Sequence, residues 1–503
     1  DTQVKIHGHR MELGDIESAL IQLPWIDNAA AACQQQTLVG YIVPDKRRLP
    51  GTDQRHSHAK LVDPADRLSF KLAQNGPMPV SDTDTVIPLA QDGGEADDDF
   101  LYSPAWLTDE SISSEVVPLT LNSFRQLLSG LRCYHDAGAP LPKYGYPSAG
   151  SLYPVRLTLH IGNNTITGLP GGRYAYHPDH QLIRLAGDSG SQPSLVLELS
   201  AWLPAIQPMY GEMALRFCQL EAGAMIAQLA ACAGPLGIAL KTSVPDTHNR
   251  ASDQPDWPLA QITLTTRTVP VGDKKHHALR QRRSYRRFTG HTLDFATLAR
   301  WLSPAQTWAN QHQLKLCILR RTTQQSETTE GDWQWLDNKN SPVNQTILDQ
   351  LQLWPDSAIA LVITATPDTP PTPLLLLNAG HLGQQLQLTA IDHNIGLCPL
   401  GAWTEPTHEG HSVLYTFVGG QVASDAWQSP GEQQPDLNEV INRQLSRQLP
   451  EYMVPQVYMM LEALPLTTNG KVDRKALPVP EIVSTAAYVA PTNDTEQHLC
   501  TLW

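Results

Sequence analysis

The apolar positions of this chain change period along its length, and the changes outline its elements. Val155, Leu157, Leu159 and Ile161 alternate with Arg156, Thr158 and His160, the period-two pattern of a strand buried on one face. Gly171-Gly-Arg-Tyr-Ala-Tyr-His177 reads as a turn entering another strand, and Leu259 to Thr265 as a third. Between them, Leu215 to Ala233 is apolar at helical spacing and punctuated by Glu221, Gly223 and Gln228, which predicts a long helix. From about Leu279 a shorter copy of the plan follows. Leu298-Ala-Arg-Trp-Leu302 echoes the amphipathic positions Phe124, Leu127, Leu128 and Leu131, and Leu314 to Leu319 and Ala358 to Thr364 read as strands. Asn378-Ala-Gly-His-Leu-Gly-Gln-Gln-Leu386 parallels Glu221-Ala-Gly-Ala-Met-Ile-Ala-Gln-Leu229. A repeat of this size predicts two halves packed as a pseudo-dimer in one chain.

Outside the repeat, the two ends read as parts of one small α+β unit. Residues 3 to 45 predict a strand (Gln3 to Ile6), a turn at Gly8, a helix from about Gly14 to Leu23 and a strand from Thr37 to Val43. Ile16, Leu20 and Leu23 share one helix face, and Asp15 and Glu17 stand near the N-terminus, where the helix dipole favours acids. Nothing nearby closes this unit. Residues 437 to 478 supply a helix around Leu437 to Leu449, the break Pro450-Glu-Tyr-Met-Val-Pro455, a strand, and the turn Asn469-Gly470 before Lys471-Val-Asp-Arg474. The expected segments are therefore 1–45, 46–270, 271–436, 437–480 and 481–503.

Composition narrows the function classes. With 503 residues, 41% hydrophobic and 17% charged, the chain is long enough for several cores. A formal net charge of −14 argues against a nucleic-acid or anionic-membrane partner, so a phosphate would need a local basic cluster. The 7 cysteines include no C-x-x-C pair, which fits a reducing compartment and offers no zinc framework. No apolar run approaches membrane-spanning length. The expectation is a cytoplasmic protein. The first residues read as the inside of a folded unit and Cys500-Thr-Leu-Trp503 stops in an apolar pattern, so an excised fragment of a longer chain is expected.

Three stretches carry candidate chemistry. Lys143-Tyr-Gly-Tyr-Pro-Ser-Ala-Gly-Ser-Leu-Tyr-Pro-Val155 reads as a floor for a flat ligand. Pro147, Ser148, Ala149 and Gly150 let a ligand approach the backbone, and Lys143 and Tyr144 put proton-handling groups at the edge. Arg282, Ser284 and Arg286 alternate in Arg282-Arg-Ser-Tyr-Arg-Arg-Phe288, so guanidinium forks and a hydroxyl can converge on a phosphate; taken alone, a solvated basic run is the better explanation. The third stretch is Gly396-Leu-Cys-Pro-Leu-Gly401. His56-Ser-His58, His276-His277 and His408-Glu-Gly-His411 sit in polar linkers without partners, so no metal site is expected. Gly171-Gly172 and Gly419-Gly420 lack the spacing of a nicotinamide-binding loop.

The end segments resemble the C-terminal subdomain of adenylation domains of nonribosomal peptide synthetases. The resemblance rests on Gln3-Val-Lys-Ile-His-Gly-His-Arg-Met-Glu-Leu-Gly-Asp-Ile-Glu17, Leu449-Pro-Glu-Tyr-Met-Val-Pro455 and Asn469-Gly-Lys-Val-Asp-Arg474, in order. It places Asp1 at the hinge and Lys471 at the adenylation lysine, whose large subdomain is absent here. Residues 488 to 503 resemble the linker and first helix of a carrier protein. Most of 64 to 425 resembles the nitroreductase-like flavoproteins, within them the oxidase domains of peptide synthetases and the azoline dehydrogenases. The implied fold is α+β, with tandem nitroreductase-like repeats forming an intramolecular pseudo-dimer inserted into the small adenylation subdomain.

That second resemblance implies FMN, with Arg282, Ser284 and Arg286 on its phosphate, the loop of Pro147, Ser148, Ala149 and Gly150 beneath its ring, and Pro399, Leu400 and Gly401 at the ring edge. It implies Lys143 and Tyr144 as the catalytic pair. The first repeat has the floor loop but reads Phe100-Leu-Tyr-Ser-Pro-Ala-Trp106 where the arginines should stand, and the second has the arginines but no such loop. One FMN in a monomer is therefore expected. The host implies a carrier-tethered substrate on a phosphopantetheine arm and an adenylation large subdomain as partner. Tethered glutamine, as in indigoidine-type synthetases, is favoured slightly over thiazoline or oxazoline oxidation; a docking scaffold without flavin is the other class.

Overall fold

The computed structural model describes residues 3–6, 9–22, 26–34, 37–44, 61, 67, 70–73, 75–81, 83–89, 101–102, 119–134, 141–186, 195–247, 255–266, 274–275, 282, 284–322, 333–336, 343, 347–348, 351, 354, 356–366, 369–400, 407–408, 411–422, 441–442, 445–446, 448–461, 463–465, 467 and 472–478. The chain forms two compact units, one of Asp1–Leu49 with Pro435–Trp503 and one of Pro50–Gln434.

In the smaller unit the helix Leu13–Ile21 buries Leu13, Ile16, Ala19 and Leu20. Thr37–Pro44 pairs antiparallel with Ile26–Gln34 on one side and parallel with Val457–Met460 on the other. Segments from both ends of the sequence thus share one sheet. Two motif residues meet across it: Arg474 Nη2 lies 2.7 Å from Glu17 Oε1, and the same oxygen accepts the Ala31 N–H at 2.9 Å. Lys471, the Asn469-Gly470 turn and most of the helix expected over Leu437 to Leu449 lie outside the described residues.

The larger unit is a tandem repeat. In the first half an antiparallel sheet runs in the order Ile238–Ser243, Asp256–Thr266, Val196–Trp202, Val155–Ile161, Gly172–His177, Gln181–Leu185, Val86–Pro88. In the second the order is Ile395–Leu400, His411–Gln421, Ile359–Ala365, Leu314–Arg321, Trp333–Trp335, again antiparallel. The two orders match strand for strand until the second sheet stops. Val155–Ile161 alternates strictly between buried and half-buried positions, as its sequence predicts.

Each half contributes one central helix, Ala214–Ala233 or Pro373–Ala390. Both are apolar around nearly their whole circumference, which only a helix covered on all sides can be. They cross at a pair of equivalent glycines. A methyl on Gly223 would collide with the Leu377 carbonyl, and one on Gly380 with the Leu220 carbonyl. Leu220 and Leu377 each precede their own glycine by one helical turn, so the contact is the same seen from either side, as a two-fold axis requires. After each helix a 3-10 turn ends on a left-handed residue, Gly237 (φ 66°) or Asn394 (φ 55°); asparagine is among the few side chains that tolerate that conformation. One apolar core runs from Leu157 and Leu199 in the first sheet, through Leu220, Ala224, Leu377 and Leu382, to Ile359 and Leu361 in the second. No helix among the described residues is long and apolar enough to cross a membrane.

Candidate active site

The floor loop begins with the short strand Lys143–Tyr144, which pairs with Cys133–Tyr134. A 3-10 turn, Ala149–Ser151, follows. Gly150 (φ 63°), Ser151 (φ 58°) and Tyr153 (φ 48°) are all left-handed, a concentration of strained backbone that only strong local restraints maintain. The restraints are visible. Ser148 Oγ accepts the Tyr153 N–H at 2.9 Å, Ser151 N–H donates to Ser148 O at 3.1 Å, and Glu221 Oε1 accepts the Val155 N–H at 3.3 Å. Gly76 presses on the Leu152 and Tyr153 carbonyls from outside, with no room for a side chain. A Cβ on Gly150 would stand 2.9 Å from Tyr210 Oη. Pro147, Ser148, Ala149 and Gly150 remain half-buried, so the floor is accessible.

The aromatic residues of the loop form one stack. Tyr144 lies on Tyr153 with ring centroids 3.6 Å apart, and Tyr146 meets Tyr144 edge-on at 5.6 Å. Burial pushes the Tyr144 hydroxyl far above the ordinary phenol range, with Cys133, Tyr153 and Glu221 adding to it. Tyr144 therefore keeps its proton. Lys143, beside it, is half-buried.

From the second half, the segment around Arg282 is laid on the second sheet by Tyr285 N–H to Leu397 O at 3.1 Å and Thr289 N–H to Gln421 O at 2.9 Å. Tyr285 and Phe288 enter the core behind that sheet; Ser284 and Arg286 are half-buried and Arg287 is exposed. Arg282 departs from the expected convergence on a ligand. It is buried, and its guanidinium donates to Gln387 Oε1 at 3.0 Å and to the Tyr144 carbonyl at 3.1 Å. It joins the floor loop of the first half to the central helix of the second. Arg286 is half-buried and has company that the sequence did not announce: its charge acts on Lys71 and on Tyr210, and Arg67 also acts on Tyr210. Burial, then Arg286, depresses the Lys71 ammonium. Several cations thus gather at the Gly150 end of the floor. Pro399 and Leu400 close the strand Ile395–Leu400, half-buried; Gly401 lies outside the described residues, as do Ser103 to Trp106 of the counterpart stretch. Among the described residues no cluster of His, Cys, Asp or Glu could hold a metal ion.

Sequence reasoning missed Glu221, Gln387 and Lys71 as members of this site. For the first two a signal exists. A polar residue in a helix that is otherwise apolar all round must be buried, and a buried polar group needs a partner. Lys71 carries no signal, because its place depends on how the segment before Gly76 wraps the loop.

No family model matches the chain. The chain aligns over its whole length with the indigoidine synthase of Dickeya dadantii (strain 3937) at 25% identity, spanning 35% of that protein. The whole chain is similar to an indigoidine synthase. It also aligns with tyrocidine synthase 3 of Brevibacillus parabrevis at 50% identity over 93 residues, 18% of this chain and 1% of that one. Among solved structures, a protein described as a nitroreductase from Anabaena variabilis matches with TM-score 0.49 and 17% identity, covering 73% of this chain and 98% of its own. The chain spans about a third of the length of the indigoidine synthase it matches.

Proposed function

We propose that the larger unit is an FMN-dependent oxidase that removes two hydrogens from an aminoacyl group tethered to a carrier protein in nonribosomal peptide synthesis. One observation carries this reading: the loop that holds the small-residue floor of one half meets the arginine segment of the other, in a chain similar throughout to an indigoidine synthase. The residues fit a planar group with a phosphate tail. The floor is open, its glycine sits where a side chain would strike Tyr210, and the cations lie at one end. Ser284 and Arg286, with Lys71, would hold the phosphate, and Pro147, Ser148, Ala149 and Gly150 would underlie the ring. Pro399, Leu400 and Gly401 would border its edge. Bound FMN supplies the hydride acceptor.

The chain's own residues position and deprotonate the substrate. Lys143 takes the proton from the substrate carbon, and Tyr144, held protonated by burial, donates a hydrogen bond at the same edge. Arg282 keeps both in place by holding the Tyr144 carbonyl. Overall the substrate loses two hydrogens and O2 gains them as hydrogen peroxide. The partners are the carrier's phosphopantetheine arm and the adenylation large subdomain of a parent chain, in the cytoplasm. Tethered glutamine is the favoured substrate; the Lys143-Tyr144 pair, which resembles that of azoline dehydrogenases, supports thiazoline as the second reading.

Mass spectrometry of glutaminyl- and thiazolinyl-loaded carriers, incubated with the flavin-loaded protein, tests this. Loss of two hydrogens from the glutaminyl carrier is expected. Loss from the thiazolinyl carrier alone moves the assignment to the second reading, and no loss from either overturns the oxidase. Lys143→Ala is expected to retain flavin and lose product; retained turnover refutes its role as base.

A further inference from the structure

We propose that Glu221 is a positioning residue that works as a neutral carboxylic acid, fastening the floor loop to the central helix in the form that binds FMN; this rests on the flavin reading above. Glu221 is 2% exposed. Its Oε1 takes the N–H of Val155, the first residue after the loop. Ser148, just before the strained turn, interacts with the same carboxyl. One side chain therefore meets the strained turn on both sides, bonded to Val155 after it and beside Ser148 before it.

The remaining oxygen explains why the group must be neutral. Glu221 Oε2 is buried without a hydrogen-bond partner. Among the described residues, the titratable groups its charge acts on are Tyr144, Tyr146 and Tyr153 from the loop, Tyr415 from the strand His411–Gln421, and Cys218 from its own helix. None of these is a cation, and the buried Arg282, whose charge acts on Tyr153 and Tyr415, gives its hydrogen bonds to Gln387 and the Tyr144 carbonyl. An ionised carboxylate here would be a buried charge with no cation bonded to it, which costs far more than the protonated form. Burial accordingly raises the Glu221 carboxyl to about 8, against the opposing pull of Ser148 and the Val155 N–H.

The second half supplies an internal control. The residue equivalent to Glu221 through the Gly223 and Gly380 crossing is Asn378. There the helix Phe295–Gln311 passes to the strand Leu314–Arg321 through His312 and Gln313 alone, and there is no loop to fasten. The acid occurs in the half that has the loop.

The test is the FMN dissociation constant of the full chain, wild type and Glu221→Gln, from about pH 7 to about pH 9, a window above the second phosphate ionisation. Wild type is expected to bind about tenfold more weakly at about pH 9 than at about pH 7, as the acid ionises with a midpoint near 8. Glu221→Gln, permanently neutral and of the same shape, is expected to hold the low-pH affinity throughout. A flat wild-type profile, or a Gln variant that weakens in parallel, overturns the proposal; if the variant does not fold, the wild-type profile decides.

If wild type binds no FMN at any pH, the flavin reading falls separately, and heat unfolding without flavin then judges Glu221. Because its folded value lies above the unfolded one, the folded state holds the extra proton between about pH 4.5 and about pH 8. Wild-type Tm, relative to the Gln variant, should then decline across that window and level off above it. Parallel Tm curves overturn the assignment.

Discussion

Arg282 and Arg286 stand four residues apart in the same basic segment and meet different fates. Arg282 is enclosed and bonded to Gln387 and the Tyr144 carbonyl; Arg286 stays half-exposed near Lys71. Arg282→Ala leaves two buried acceptors without a donor, so it should destabilise the larger unit by about 3 kcal/mol. Urea denaturation measures this, and a loss below about 1 kcal/mol contradicts the bridging role. Arg286→Ala should change stability by no more than about 0.5 kcal/mol yet weaken FMN about tenfold, the scale of one charge-assisted hydrogen bond. The alternation of Arg282, Ser284 and Arg286 was legible in the sequence. Which arginine is enclosed was not, because that is set by Gln387, more than a hundred residues away in sequence. Tyr144 is similar: its type and its neighbour Lys143 are readable, but its stacking on Tyr153 depends on a left-handed turn that no pattern announces.

At the scale of elements, the two central helices hold the site together, since each half presents its motif from one side of their crossing. Gly223→Ala or Gly380→Ala drives a methyl into a backbone carbonyl that cannot swing aside. Each should cost about 3 kcal/mol or more, and the double variant less than the sum of the two, because both changes part the same crossing. Additive costs would show that the helices do not share one contact. The helices, the alternating strand Val155–Ile161 and, of the second-half strands, Leu314–Arg321 and Ile359–Ala365 were readable from the sequence pattern, whereas Ile395–Leu400, expected as a loop, and His411–Gln421 were not. Ile26–Gln34 was not, because Ala29 to Ala32 favour no strand, and Trp333–Trp335 is too short to show a period. Strand order lay beyond periodicity altogether: pairing is decided by which sheet face the central helices cover.

Over the whole molecule, duplication followed by divergence makes the larger unit an asymmetric pseudo-dimer. The two sheets share an order and the two helices share a crossing. The floor loop exists in the first half, and its counterpart in the second is the link His312-Gln313. The repeat was visible in the sequence through the parallel stretches at Glu221 and Asn378, and the joining of distant ends through the motifs at Glu17 and Arg474, which meet at 2.7 Å. What the sequence left open was whether the motifs of the two halves come together, and Arg282 on the Tyr144 carbonyl answers that for the floor and the arginine segment. The most direct measurement is a titration of the purified full chain with FMN, followed by the flavin absorption band after removal of free cofactor. One FMN bound per chain is the predicted result; none, or two, contradicts the account.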